Sequence, residues 1–204
     1  MIRIATENDV PAMLAIYAPY ILNTTHTFEY DVPTEAAFAQ RFRDLTAQFP
    51  WLVWEEAGKI LGYAYGSAPF ARAAYNWCAE DSIYLLPEAQ GRGIGAKLLL
   101  ALEKVVFYQC YLRVYALITA ENKHSMAFHE KLGYTLRGEL PDAGIKFGRK
   151  VGVVWMDKAA DFVDIPSSFP TPWSAIMQDG QTFSDILDIL SLSKFSKIRY
   201  VMHG

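Results

Sequence analysis

The chain has little cysteine, little net charge and no long apolar run. Its two cysteines, Cys78 and Cys110, make no disulfide framework and fit a reducing cytoplasm. Nineteen Lys and Arg against 22 Asp and Glu leave a formal charge of −3, so no general electrostatic pull toward nucleic acid or an anionic membrane is expected. No apolar stretch reaches the roughly 18 to 20 residues of a membrane span; Glu103 and Lys104 interrupt even the best one, residues 98–106. The first six residues enter a strand-like alternation without a basic region ahead of an apolar one, so no secretory signal is read there. The four histidines lack metal-ligand spacing such as H-E-x-x-H, and no metal is expected. With 52% hydrophobic and 20% charged residues, the composition is that of a soluble globular protein with one sizeable core.

Apolar periodicity places the elements. Residues 2–5 read as a strand, and the capping-rich Thr6-Glu7-Asn8-Asp9 precedes a helix beginning at Val10. A second helix over 34–48 carries Phe38, Phe42 and Leu45 at three- and four-residue spacing, and Pro50 ends it. Strands at 51–55 and 60–65 flank the turn Glu56-Ala57-Gly58-Lys59, which predicts an antiparallel hairpin. A strand at 81–86, a helix at 91–108, a strand at 112–118 and a helix at 123–132 stopped by Gly133 follow, then strands at 134–136 and 152–156. The order βααβββαβαββ predicts an α/β (α+β) fold: a mixed sheet, helices on both faces, and a parallel crossover around the helix at 91–108.

Beyond residue 158 the character changes. Three of the ten prolines, Pro166, Pro170 and Pro172, fall close together and mark a linker. Phe183, Ile186, Leu187, Leu190 and Lys194, with Asp185, Asp188 and Ser191 opposite, then describe a short amphipathic helix. The expected organisation is a domain over 1–158 and an extension over 159–204 whose helix packs on that domain or on a second subunit.

The most informative stretch is Gln90-Gly91-Arg92-Gly93-Ile94-Gly95-Ala96, between a strand and a long helix. Glycine permits unusual dihedrals and close ligand approach, and a helix N-terminus offers free amides and a positive dipole end to phosphate. A glycine-rich turn with no ligand is the competing reading. The nucleotide-triphosphate loop is excluded because no Lys-Ser or Lys-Thr follows, and the G-x-G spacing departs from the dinucleotide fingerprint G-x-G-x-x-G.

The stretch resembles the Q/R-x-x-G-x-G/A loop of the GCN5-related N-acetyltransferases, through Gln90, Gly93 and Gly95. The resemblance spans about residues 2–158 and narrows to the phosphinothricin and methionine-sulfoximine acetyltransferase subfamily. It is carried by Ile2-Arg3-Ile4-Ala5-Thr6 with Asp9, Thr24-Thr25-His26-Thr27-Phe28-Glu29, Arg72-Ala73-Ala74-Tyr75-Asn76-Trp77 and Glu80-Asp81-Ser82-Ile83-Tyr84. Residues 122–134, from Asn122 through Ser125 and His129 to Tyr134, and Gly144-Ile145-Lys146-Phe147-Gly148 extend it. The resemblance implies the acyl-CoA N-acyltransferase fold, with the parallel strand pair splayed to admit acetyl-CoA. Ile83, Tyr84 and Leu85 would then hold the pantetheine arm, Gly91, Arg92, Gly93, Ile94, Gly95 and Ala96 the pyrophosphate, and Asn122 with Ser125 the thioester end. Asn122 also suits a helix N-cap.

The same resemblance makes Glu80 the general base and His129 a proton donor to the leaving thiolate. An α-amine titrates near 7.7 to 8.0 and an ordinary glutamate near 4.3, so proton transfer to Glu80 would cost roughly 5 kcal/mol unless burial raised its pKa or a water relayed the proton. Imidazole, near 6.5, can act at neutral pH, although a structural role at the core border fits His129 as well; His124 and His26 read as surface or loop residues. Arg72 is the expected partner of a substrate carboxylate, with Phe28 and Tyr75 as apolar walls. Cys78 is not required as a nucleophile.

Two departures concern the acceptor. Phe70 stands where the subfamily usually carries a second basic residue, and Lys150 and Gly152 replace the usual Trp and Asp. The expected function is acetyl transfer from acetyl-CoA to a small amino-acid-like amine bearing a carboxylate, in a homodimer. A protein N-terminus or an aminoglycoside as acceptor, or a CoA-binding module without turnover, are the alternatives.

Overall fold

The structure is a computed structural model that describes residues 1–161, 166, 168–178 and 183. A seven-stranded sheet carries the order β1(Ile2–Ile4), β2(Trp51–Glu56), β3(Lys59–Ser67), β4(Cys78–Leu85), β5(Arg113–Thr119), β7(Arg149–Ala159), β6(Thr135–Lys146). All neighbours are antiparallel except β4 and β5. The β2–β3 turn forms because Ala57 and Gly58 both take positive φ, 49° and 78°, the twist that suits a tight hairpin.

Alternation along the strands sends two sets of side chains to two cores. Trp51, Val53 and Tyr63 meet α1(Val10–Asn23) and α2(Glu35–Thr46) on one face. Leu52, Leu61 and Ala64 meet α3(Ile94–Tyr108) on the other, where Phe128 and Met126 of α4(Lys123–Lys131) also pack. The α2 N-terminus is fixed by Thr34, whose Oγ1 accepts from Ala37 N at 3.2 Å.

The order of elements agrees with the periodicity, but the last hairpin is much longer than the short strands read from sequence. β6 is exposed along nearly its whole length and carries register shifts between Leu136 and Gly138 and between Leu140 and Gly144. Such irregularities break the two-residue alternation from which a strand is read.

The strands β4 and β5 pair only over Cys78↔Arg113, Ala79↔Val114 and Glu80↔Tyr115. β4 then continues to Leu85 and β5 to Thr119 without pairing to each other, so the sheet opens into a V.

A short helix, α5(Trp173–Gln178), was not foreseen; it docks at the α2–β2 corner, Trp173 N donating to Gln48 O at 3.2 Å and its indole burying against Val105. The amphipathic helix expected from Phe183 onward lies outside the described residues apart from Phe183 itself, which packs on the α3 side of the core.

Candidate active site

The V between β4 and β5 forms a cleft of about 490 Å³. Ile83, Tyr84, Leu85, Gln90, Gly95, Asn122, Ser125 and His129, all singled out from sequence, line it. Peptide groups on the opened edges need partners, and Tyr20 supplies one set: its hydroxyl accepts from Leu85 N at 3.3 Å and donates to Leu85 O at 2.7 Å. Tyr20 carried no sequence signal, since it reaches β4 from α1 across 65 positions. His26 and His124 are exposed, as read, yet both stand at the cleft wall.

The glycine loop leads from the cleft into α3. Gly91 and Gly93 hold φ of +70° and +76°, and Gly93 is the N-cap of α3. Nothing lies within 4 Å of a Cβ built at either position, so glycine there serves the left-handed backbone and open ligand approach. Gly95 differs, because a Cβ would stand 3.2 Å from Leu85 Cδ1 where α3 packs on β4. Gly91, Arg92, Gly93, Ile94 and Ala96 are not part of the cleft wall itself. The Ile94 side chain is buried in the core, so only its amide is left for a ligand, and Arg92 is paired with Glu56 at 2.7 Å. Free helix-terminal amides beside an unpaired strand edge fit a pyrophosphate carrying an extended amide-containing arm. Asn122 Oδ1 accepts from Ser125 N at 3.1 Å, so the N-cap of α4 and the cleft wall are one residue.

Glu80 occupies the last paired position of β4, where the V begins. Its side chain has no hydrogen-bond or ion-pair partner among the described residues. Burial, reinforced by the neighbouring Asp81 carboxylate, raises its pKa to about 7. An unpaired carboxyl titrating there can take a proton at neutral pH. Cys78, on the same face, is a poor nucleophile because burial pushes its thiol up.

His129 and Asp81 are both buried. His129 Nδ1 lies 2.8 Å from the Ser125 carbonyl and Nε2 lies 3.2 Å from Asp81 Oδ1; the Tyr134 hydroxyl donates to Asp81 Oδ2 at 2.8 Å. Two acceptors facing one ring call for N–H at both nitrogens, which is the imidazolium. Burial opposes that charge, but the hydrogen bond and charge of Asp81 outweigh it and the pKa is raised. The sequence reading assigned Asp81 no role. The available signal was a carboxylate in the middle of an apolar strand, where burial demands partners.

The acceptor-side residues come from separate elements. Arg72 is exposed on the β3–β4 loop, and its guanidinium has no partner among the described residues. Tyr75, on the same loop, meets Phe70 with ring centroids 4.5 Å apart. Phe70 stacks on Trp155 at 5.3 Å and 11° and meets Tyr115 at 5.9 Å, so the position of the usual second cation is held by an aromatic cluster. Phe28 lies on Gly144 of β6, where a Cβ would stand 2.5 Å from its ring. That loop is strapped down by Lys146, which donates to Thr27 O at 2.7 Å, and by Glu121, which accepts from the Thr25 hydroxyl and is held by Arg149 with bonds of 2.6 and 2.7 Å. Lys150 pairs with Asp142 at 2.9 Å on the surface of the β6–β7 hairpin.

Among the described residues no three His, Cys, Asp or Glu are grouped to hold a metal, and no helix is long and apolar enough to cross a membrane.

The family description "Acetyltransferase (GNAT) domain" matches residues 2–155. The chain is 35% identical over 159 residues to the phosphinothricin N-acetyltransferase of Alcaligenes faecalis, covering 77% of this chain and 81% of that protein. It is 34% identical over 165 residues to the L-methionine sulfoximine/L-methionine sulfone acetyltransferase of Pseudomonas paraeruginosa, covering 78% and 94%. A solved structure of a GNAT superfamily phosphinothricin acetyltransferase from Sinorhizobium meliloti, in complex with AcCoA, superposes with a TM-score of 0.77 at 35% identity, covering 84% of this chain and 92% of that one.

Proposed function

The chain belongs to the GNAT acetyltransferases and is an acetyl-CoA-dependent N-acetyltransferase, and from that premise we propose that its acceptor is the primary amine of a small amino acid, attacked directly in a ternary complex. The relatives named for phosphinothricin and methionine sulfoximine support this acceptor class. The observation that carries the reading is Glu80: an unpaired carboxyl titrating near 7 at the position where the β4–β5 ladder ends and the cleft begins.

Acetyl-CoA, when bound, supplies a thioester whose acyl group is open to an amine. The chain's own residues do the rest. The amides at the start of α3 hold negative charge, and the β4 edge aligns an extended arm. Arg72 takes the α-carboxylate and so orients the amine. Glu80, directly or through one water, removes the ammonium proton. Because its pKa is about 7 instead of near 4.3, the cost against an amine of about 8 falls from roughly 5 to roughly 1.4 kcal/mol. His129, charged and buried at the cleft wall, is placed to return a proton to the departing thiolate. We place the protein in the cytoplasm as a homodimer, following the cysteine usage and the family resemblance.

The test is thiol release from acetyl-CoA with a panel of amino acids and their analogues. Stabilisation by acetyl-CoA without release for any amine would make the protein a binding module. Arg72→Ala should raise the KM of the amino-acid acceptor about tenfold or more, the loss of a charge-assisted pair, while the KM of acetyl-CoA stays put; an unchanged acceptor KM removes Arg72 from the site. Gly93→Ala should act oppositely. A Cβ at φ +76° costs about 1 kcal/mol or more of backbone strain, so the KM of acetyl-CoA should rise severalfold while the acceptor KM holds, as initial-rate kinetics with each substrate varied would read.

A further inference from the structure

A second cavity, of about 510 Å³, lies at the N-terminal end of β4. Phe70, Tyr75 and Asn76 of the β3–β4 loop form one wall, Cys78 of β4 contributes, and Phe169 and Thr171 of the C-terminal segment stand opposite. No lining residue is an acid or a base charged at neutral pH: burial raises the thiol of Cys78, and the hydroxyl of Tyr111 is pushed up to about 12.

The C-terminal wall is held in place. Phe169 stacks on Trp77 with centroids 4.7 Å apart at 29°, and Trp77 Nε1 donates to Ser168 O at 3.4 Å. Thr171 and Gln109 exchange two bonds, Thr171 N to Gln109 O at 2.9 Å and Gln109 Nε2 to Thr171 O at 2.8 Å. The family match ends at residue 155, so this wall lies beyond the residues it covers.

The cavity adjoins the proposed base. Cys78 and Glu80 are two apart on one strand and share a face, with Cα atoms about 7 Å apart. Tyr115 is the β5 partner of Glu80, and its ring meets both Phe70 of the cavity wall and Trp155. The Phe70–Tyr115–Trp155 cluster therefore joins the cavity wall to the β5 position that pairs with Glu80. An anionic side chain entering there would lose its water and find no cation. Arg72, on the same loop but outside the lining, is left for the α-carboxylate.

We infer that this cavity receives the side chain of the acceptor amino acid, that the side chain is uncharged and aromatic, and that Phe169 to Thr171 form its far wall. The inference rests on the amino-acid acceptor proposed above.

The full-length enzyme with saturating acetyl-CoA would be assayed for thiol release with L-phenylalanine, L-tryptophan, L-glutamate and phosphinothricin. The aromatic acceptors should show kcat/KM at least about tenfold above the anionic ones. Phe70→Arg should raise the KM of the aromatic acceptors about tenfold and favour the anionic pair. Phe169→Ala, which lies beyond the residues of the family match, should raise the aromatic acceptors' KM severalfold while the KM of acetyl-CoA is unchanged; it keeps the test open if Phe70→Arg does not fold. Wild-type preference for the anionic acceptors, or an aromatic KM unmoved in both variants, overturns the inference. Thiol release with none of the four, but with amines that are not amino acids, overturns instead the acceptor reading on which it rests.

Discussion

Glu80→Gln should lower kcat by about 10²- to 10⁴-fold, the usual worth of a positioned base, with little change in acetyl-CoA binding, and at the same time make the protein more stable above pH 7. Both effects have one origin. The carboxyl is half-buried next to the Asp81 carboxylate without a partner of its own, and its pKa stands at about 7 against an ordinary 4.5. A carboxyl raised on folding contributes nothing adverse below about 4.5, where both states are protonated. Its destabilising effect grows as pH rises and is complete above about 7, reaching about 3 kcal/mol at most. Gln has the same shape and no charge, so thermal melts of the variant and the wild type should coincide near pH 4 and separate in the variant's favour by pH 8. The wild-type kcat/KM should fall as pH drops through about 7, because a protonated Glu80 cannot act as a base. An unchanged kcat would take Glu80 out of the mechanism; equal melting temperatures at pH 8 would contradict the unpaired, half-buried carboxylate.

Asp81→Asn should be costly in the opposite way. Asp81 is the acceptor for both His129 Nε2 and the Tyr134 hydroxyl, and all three groups are buried. Removing its charge leaves an imidazolium in a site of low polarity with only uncharged partners, the Ser125 carbonyl and hydroxyl and the new amide, a loss of about 3 to 5 kcal/mol. For a chain of this size that is on the order of 10 °C in melting temperature. The pH dependence has a definite sign. The folded pKa of His129 lies above its ordinary value, so the pair's stabilisation is fully present below about 6.5 and is lost as pH rises through the raised value. The gap between wild type and variant should accordingly be widest in mild acid and shrink in alkali. If His129 also protonates the departing thiolate, the wild-type kcat should fall on the alkaline side, and Asp81→Asn should move that limb to lower pH. A variant as stable as the wild type at pH 6 would show that the histidine is neutral and the pair unimportant.

How much of this was legible beforehand varied with how local the signal was. The hairpin at Ala57-Gly58 and the helix stop at Gly133 are written in adjacent residues and were read correctly. The β6–β7 hairpin was shortened because its first strand is exposed and twice irregular, which erases the alternation. α5 was missed because its six residues are too few to show a helical period and its start lies among prolines that read as linker. For His129, the sequence allowed a place at the core border; the structure buries it fully. Its partner Asp81 is 48 positions away, beyond the reach of any pattern along one helix.

By itself the sequence determined the order of elements, the parallel crossover, the glycine loop at the head of α3 and, through several ordered motifs, the likeness to the acetyltransferases. These depend on periodicity, capping and backbone freedom, which are properties of neighbours along the chain. Only the tertiary structure decided the opening of β4 from β5 after Glu80, the pKa of Glu80 near 7, the His129–Asp81–Tyr134 pairing, the aromatic cluster around Phe70 and the docking of Phe169 and Trp173. Burial, charge proximity and cavity shape depend on what is brought across from distant positions, and a carboxyl acquires its working pKa only when the chain has folded around it.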